Sequence, residues 1–133
     1  MKLVIDARLT SGVVILDLMG RATAGAEADM LRTQMLNAFQ HSSRHIVLNC
    51  EELAYVDSSA IGEMVAAYSS IVRGGGMVRL VHPHKRMLEL LRITHLDRVF
   101  ETFDNEAKAI ASFNNAGGAR SQQAMSAFLK DPV

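Results

Sequence analysis

Residues 13–18, VVILDL, are mostly apolar and β-branched, as a buried strand requires. Residues 25–40, which follow, place Ala28, Leu31, Met35 and Phe39 at three- and four-residue spacing, the period of a helix with one apolar stripe. That change of period repeats along the chain and constrains the fold more than any other feature. RHIVLNC (44–50) is again a short buried strand, and Ile61, Met64, Val65, Tyr68, Ile71 and Val72 form the cleanest helical stripe. Gly74-Gly75-Gly76 suits a left-handed helix end and a turn. MVRLV (77–81) is a strand, and Pro83 fits the first turn of a helix with Met87, Leu90 and Leu91 inward. VFETF (99–103) reads as a last short strand, and Asp104 as the cap of a final helix carrying Ala107, Ile110 and Ala111. At the start, KLVIDARLTSGVVILDLMG reads as two strands joined by a tight turn at Thr10-Ser11-Gly12. The expected order is β-β-α-β-α-β-α-β-α. It gives an α/β fold with a small mixed sheet of four to five strands and about four helices.

Length and composition bound the rest. The chain has 133 residues, 49% of them hydrophobic, which is one domain with a real core. Fourteen basic residues balance fourteen acidic ones, which argues against a broad nucleic-acid footprint. The single Cys50 permits no internal disulfide and fits a reducing cytoplasm. Asp6 and Arg8 break the N-terminal apolar run, so no signal peptide is expected, and no stretch approaches a membrane span. The expected domain covers residues 1–113. The expected tail, 114–133, is a polar, Gly-containing linker followed by Met125, Phe128 and Leu129 at helical spacing.

Residues 53–68, LAYVDSSAIGEMVAAY, mark the junction where a strand turns into the strongest helix. Helix N-termini leave backbone N–H groups unpaired, and Asp or Ser side chains satisfy them. One cap explains one of Asp57, Ser58 and Ser59, not all three. The same helix end favours an anion, so local chemistry fits a cap and a phosphoserine alike.

Catalytic readings find little support. No G-x-S-x-G elbow is present, and Asp57 beside Ser58 is no orienting acid for a histidine. Of the five histidines (His41, His45, His82, His84 and His95), His82 and His84 flank Pro83 without a Cys or carboxylate cluster, which makes them exposed loop residues sooner than metal ligands. No GK[ST] follows the glycine run, so it is no phosphate loop. The chain is read as a binding module, neither an enzyme nor a holder of cofactor or metal.

The stretch from His45 to Phe113 resembles the STAS domain of bacterial anti-sigma factor antagonists. The resemblance rests on VLN at the end of a strand (47–49), the Asp57-Ser58-Ser59 junction, Gly62 two residues after Ala60, the glycine run before a strand, and DRVFETFDNEAKA (97–109). It extends over roughly residues 3–113. It implies that Ser58 is phosphorylated by a partner serine kinase, itself the anti-sigma factor and the source of ATP. A serine phosphatase and a sigma factor complete the circuit. It further implies a partner surface around Ser58, for which Thr23, Gly25, Asp57, Ser59, Ala60, Ile61 and Met64 are the candidates. No direct nucleic-acid or membrane contact is expected, and a homodimer is allowed. The chain departs from the family pattern at Ala60, where Gly is usual, at His82 for Ser, and at His95 for Gly. Its loop GRATAG (20–25) resembles the family's R-x-T-x-G version. The competing reading is a STAS scaffold or ligand-sensing module that is never phosphorylated.

Overall fold

The computed structural model describes residues 2–114. The order is β1 (Val4–Thr10), β2 (Val13–Ala22), α1 (Ala26–His41), β3 (His45–Val56), α2 (Ser58–Arg73), β4 (Met77–Val81), α3 (Lys85–Ile93), a 3-10 turn at Leu96–Arg98, β5 (Glu101–Phe103) and α4 (Glu106–Ser112). The five strands lie in chain order in one sheet. β1 runs antiparallel to β2, and the other neighbours are parallel. This is the mixed α/β sheet expected. Ser11 (φ 51°) and Gly12 (φ 77°) both turn left-handed between the paired residues Thr10 and Val13. That geometry belongs to a two-residue type I′ hairpin, whose twist matches the strands.

Strand alternation divides the side chains between two faces. On one face Leu16, Ile46, Leu48, Val78 and Leu80 pack under α1 and α2 with Leu31, Met35, Met64, Tyr68 and Ile71, all fully buried. The smaller face holds Val13, Ile15, Val47 and Val81 beneath Ala109, with Phe103, Ile110 and Phe113 around them. Two polar ties fix α4 there. Arg8 spans Asp17 (2.7 Å) and Glu106 (2.5 Å), and its guanidinium holds both carboxyls below the usual carboxylate range. Arg79, fully buried in β4, donates to Ser112 Oγ at 3.0 Å, faces Glu101 at 3.5 Å and sits 4.9 Å from the Phe113 ring.

Several local expectations need correction. β3 does not stop near residue 50 but continues to Val56, because residues 52–56 still pair with β2 past two register shifts. Pro83 precedes the helix cap and does not open α3; His84 is the cap, its Nδ1 accepting from Met87 N–H at 3.2 Å. His82 and His84 are accordingly half-buried, not exposed loop residues. Asn105, not Asp104, caps α4, accepting from Lys108 N–H at 2.9 Å. Val99 and Phe100 belong to the core ahead of a three-residue β5. His95 does adopt the left-handed conformation (φ 61°, ψ 21°). The segment with Met125, Phe128 and Leu129 lies outside the described residues.

Gly75 and Gly76, after α2, have different physical reasons. Gly75 N–H donates to Val72 O and Gly76 N–H to Ile71 O, the pair of bonds that closes a Schellman end. Gly75 supplies the positive φ of 89°. Gly76 supplies space: a Cβ there would lie 2.7 Å from both Ile71 Cγ2 and Phe39, and 2.8 Å from the Arg44 carbonyl oxygen. Gly12 offers the contrast, with positive φ but nothing within 4 Å of a Cβ. Gly76→Ala is expected to cost about 2–3 kcal/mol by overpacking, and Gly12→Ala about 1 kcal/mol from φ alone. Urea unfolding of the two variants measures both, and equal costs would show that Phe39 and the Arg44 backbone yield.

Candidate functional site

The junction between β3 and α2 is a single residue. Asp57 is extended (φ −104°, ψ 175°) and caps α2, Oδ1 accepting from Ala60 N–H at 2.9 Å. Its other oxygen, Oδ2, accepts from Ala24 N–H at 3.0 Å, in the loop between β2 and α1. Its own N–H donates to the Ala22 carbonyl at 3.1 Å. One carboxylate therefore caps α2 and fixes the loop leading into α1. Gly25 ends that loop at φ 95°, ψ −134°, with nothing within 4 Å of a Cβ, so backbone conformation and not crowding calls for glycine there. Thr23 is half-buried, its Oγ1 donating to Glu27 Oε1 at 3.4 Å.

Capping by Asp57 leaves the two serines without a structural task. Ser58 and Ser59 occupy the first two positions of the 16-residue α2, both exposed. Neither hydroxyl makes a hydrogen bond among the described residues. The chemistry such a site offers is that of a free hydroxyl beside the positive end of a helix dipole, where an added anion is tolerated.

Three of the residues expected around Ser58 lie elsewhere. Ala60 (0% exposed), Ile61 (2%) and Met64 (0%) all face the sheet. The helical stripe that identified α2 points them inward, so they shape the site from beneath and offer no surface to a partner. The exposed side of the junction instead comprises Ser58, Ser59, Ala24, Gly25 and Gly62. Gly62 stands one turn along from Ser58, with open space at its Cβ position.

Arg21 and Tyr55 lie beside the junction without a sequence motif to mark them. They are register partners at the ends of β2 and β3, with the Arg21 guanidinium carbon 4.5 Å from the Tyr55 ring centroid, both exposed. The signal in the sequence is only that each stands two residues before a site residue, Thr23 and Asp57. Glu63, a nearby carboxylate by sequence, is paired with Arg32 of α1 at 3.2 Å, so its charge is compensated.

The remaining reactive groups are dispersed. Cys50 is buried, and burial pushes its thiol pKa up to about 12, which leaves it protonated and inert. His45 stacks on Phe113 at 4.5 Å; burial, with Arg79 nearby, lowers its pKa. Among the described residues no three His, Cys, Asp or Glu side chains come together as a metal site would require. No helix among them is long and apolar enough to cross a membrane.

Comparison with known proteins places this arrangement. The family model of the STAS domain matches residues 4–109. The anti-sigma F factor antagonist of Paenibacillus polymyxa is 32% identical over 111 residues, covering 83% of this chain and 94% of that protein. Among solved structures, a Thermotoga maritima protein described as a candidate anti-sigma factor antagonist superimposes with a TM-score of 0.76 at 22% identity, covering 84% of this chain and 95% of that one. The anti-sigma factor antagonist SpoIIAA of Bacillus is similar in both of its forms. The unphosphorylated form gives a TM-score of 0.65 at 20% identity, covering 85% of this chain and 98% of that one. The phosphorylated form gives 0.66 at 20% identity, covering 83% and 99%. By family match, sequence identity and fold, this chain belongs to the STAS domain family of anti-sigma factor antagonists.

Proposed function

We propose that this protein antagonises an anti-sigma factor through the surface around Ser58, and that phosphorylation of Ser58 switches the interaction off. The observation that carries the reading is the division of labour at the junction. Asp57 supplies the side-chain cap of α2, one carboxylate oxygen on Ala60 N–H and the other on Ala24 N–H. Ser58 therefore keeps an exposed hydroxyl that the fold does not use. The family is one of binding proteins, and the catalytic step belongs to the partner. The anti-sigma factor, acting as a serine kinase, transfers the γ-phosphoryl group of its ATP to Ser58 Oγ and releases ADP.

Unmodified, the site is small and closely approachable: Ser58, Ser59, Gly62 and the Ala24-Gly25 loop present little side-chain bulk. A phosphate adds a charge of about −1.5 to −2. The first turn of α2 accommodates that charge without unfolding, since free N–H groups and the dipole favour it. SpoIIAA, whose phosphorylated and unphosphorylated forms share this fold, supports that expectation by analogy. The cost then falls on the interface, where Asp57 already supplies one negative charge. A penalty of about 3 kcal/mol weakens binding more than a hundredfold. A serine phosphatase restores the binding form, and the freed anti-sigma factor recaptures its sigma factor between cycles.

Three variants test this. Ser58→Ala should abolish phosphate incorporation by the cognate kinase, as read by mass spectrometry; undiminished labelling would move the acceptor to Ser59 or another residue, and a wild-type protein that takes up no phosphate would leave a scaffold. Ser58→Asp should keep its melting temperature within a few degrees while binding the anti-sigma factor more weakly. A folded variant with wild-type affinity refutes the charge mechanism. In chemical denaturation Asp57→Ala should lose about 2 kcal/mol, from one cap and one further hydrogen bond. Ser58→Ala should stay within about 0.5 kcal/mol of wild type, as an exposed substitution without partners does. The opposite ranking would make Ser58 the cap.

A further inference from the structure

We propose that the C-terminal end of α4 is an acid-released latch: a proton on His45 frees Phe113 from the sheet while the N-terminal end of the helix stays anchored. The latch is a cluster of side chains from three elements. His45, the first residue of β3, stacks on the Phe113 ring with 4.5 Å between centroids and 14° between planes. Arg79 of β4, fully buried, sits 4.9 Å from the same ring and donates from Nε to Ser112 Oγ at 3.0 Å. Ser112 ends α4 and Phe113 is its C-cap. Together these contacts seat the last turn of α4 on the smaller core face of Val13, Ile15, Val47 and Val81.

The cluster suits a neutral imidazole and opposes a charged one. The charges that face His45 are both positive: Arg79 on the shared ring and Arg44, the preceding residue. Glu101 faces Arg79 at 3.5 Å, but it belongs to β5, two strands from β3 with β4 between them. The strand partner of His45 is Met77, and its neighbours on the sheet face, Val13 and Val47, are apolar. The His45 backbone N–H donates to Ser43 Oγ, whereas the ring nitrogens donate to nothing among the described residues. An aromatic face attracts a cation, but Arg79 already draws on that of Phe113, so an imidazolium would be the second cation on one ring. Burial, with the two arginines, holds the His45 pKa below its ordinary value of 6.5. The closed latch binds the neutral form. Its stabilisation is therefore complete above pH 6.5 and is lost as the pH falls from there through the lowered folded-state value.

The N-terminal end of α4 responds the other way. Glu106 and Asp17 both clasp Arg8, which holds their carboxyls below the usual carboxylate range, so both stay ionised through this window. His82 faces Glu106, and an imidazolium there strengthens the attraction. Lys108 and Asp104 add an exposed pair at the same end. In acid the helix therefore hinges at Glu106 and opens at Phe113, which uncovers Val13 and Val47. The smaller core face becomes a surface that the protein presents only below neutral pH. His45 opens β3 and Ser58 follows its far end, so the latch acts independently of the phosphorylation site.

The experiment is an NMR titration of the full chain from about pH 8 to about pH 5, the range in which histidines change charge. The His45 ring protons should titrate with a midpoint below that of the exposed His41. Over the same range the amides of Phe113 and Asn114, which donate to Ile110 O and Ala111 O, should lose protection against exchange once intrinsic rates are corrected for. The loss reaches about threefold for each half unit by which the His45 midpoint is lowered. The Ala109 amide, bonded to Asn105 O near the anchored end, should keep its protection. His45→Phe keeps a ring in the stack and cannot be charged, so its last turn should stay protected throughout. Phe113→Leu removes the stack, and the His45 midpoint should rise toward that of His41. A His45 midpoint at or above that of His41 overturns the proposal, and so does protection at Phe113 that ignores pH. An equal acid loss in His45→Phe places the titration elsewhere and refutes the latch, and equal losses at Ala109 and Phe113 refute the hinge.

Discussion

A single carboxylate organises the upper edge of this sheet. Asp57 Oδ1 holds the N–H of Ala60 and Oδ2 the N–H of Ala24, so the start of α2 and the loop into α1 share one anchor. The anchor works because β3 runs long, reaching Val56 beside Ala22 at the end of β2. That length brings the two helix entrances within reach of one side chain. Everything proposed for Ser58 follows from it. A helix capped by its serine would have no hydroxyl to offer, whereas a helix capped by the preceding aspartate presents two.

Charge at the site is arranged with the same economy. Glu63, one turn into α2, is neutralised by Arg32 across the α1–α2 contact. Asp57 is saturated by backbone N–H groups. Arg21 is held over the Tyr55 ring on the other side of the strand ends. Asp57 keeps its negative charge, so a phosphate on Ser58 would enter a region with one like charge and a favourable helix dipole. That is why the fold can carry it while a close-packed partner cannot. Arg21 and Tyr55, exposed and of residue types that commonly anchor interfaces, stand beside the proposed partner surface at the ends of β2 and β3.

Much of this was legible in the residues, for identifiable reasons. The switch from VVILDL to the Leu31–Met35 stripe, and from VLN to the Ile61–Tyr68 stripe, reports burial on one face of a helix, and burial is what apolar spacing encodes. The Ser11-Gly12 turn was readable because few residues accept positive φ, and the left-handed His95 because the family it resembles has Gly at that position. The same stripe misled at the site: Ala60, Ile61 and Met64 adjoin Ser58 in sequence but point to the core, since helical neighbours face different directions. Caps proved ambiguous to within a residue or two, with His84 and Asn105 taking the roles expected near Pro83 and Asp104. Least legible was Arg79, an ordinary charge in MVRLV whose full burial depends on Ser112 and Glu101, more than twenty residues away in sequence. Long-range pairing of that kind leaves no local trace.

The central claim is that modifying Ser58 alters recognition and not the fold. It is tested most directly by titrating the cognate anti-sigma factor into the unmodified protein and into protein stoichiometrically phosphorylated on Ser58, with melting temperatures taken on the same samples. Affinity at least a hundredfold weaker is expected for the phosphorylated form, with melting temperatures within a few degrees of each other. Equal affinity for the two forms, or a loss of affinity accompanied by unfolding of the phosphorylated protein, would contradict it.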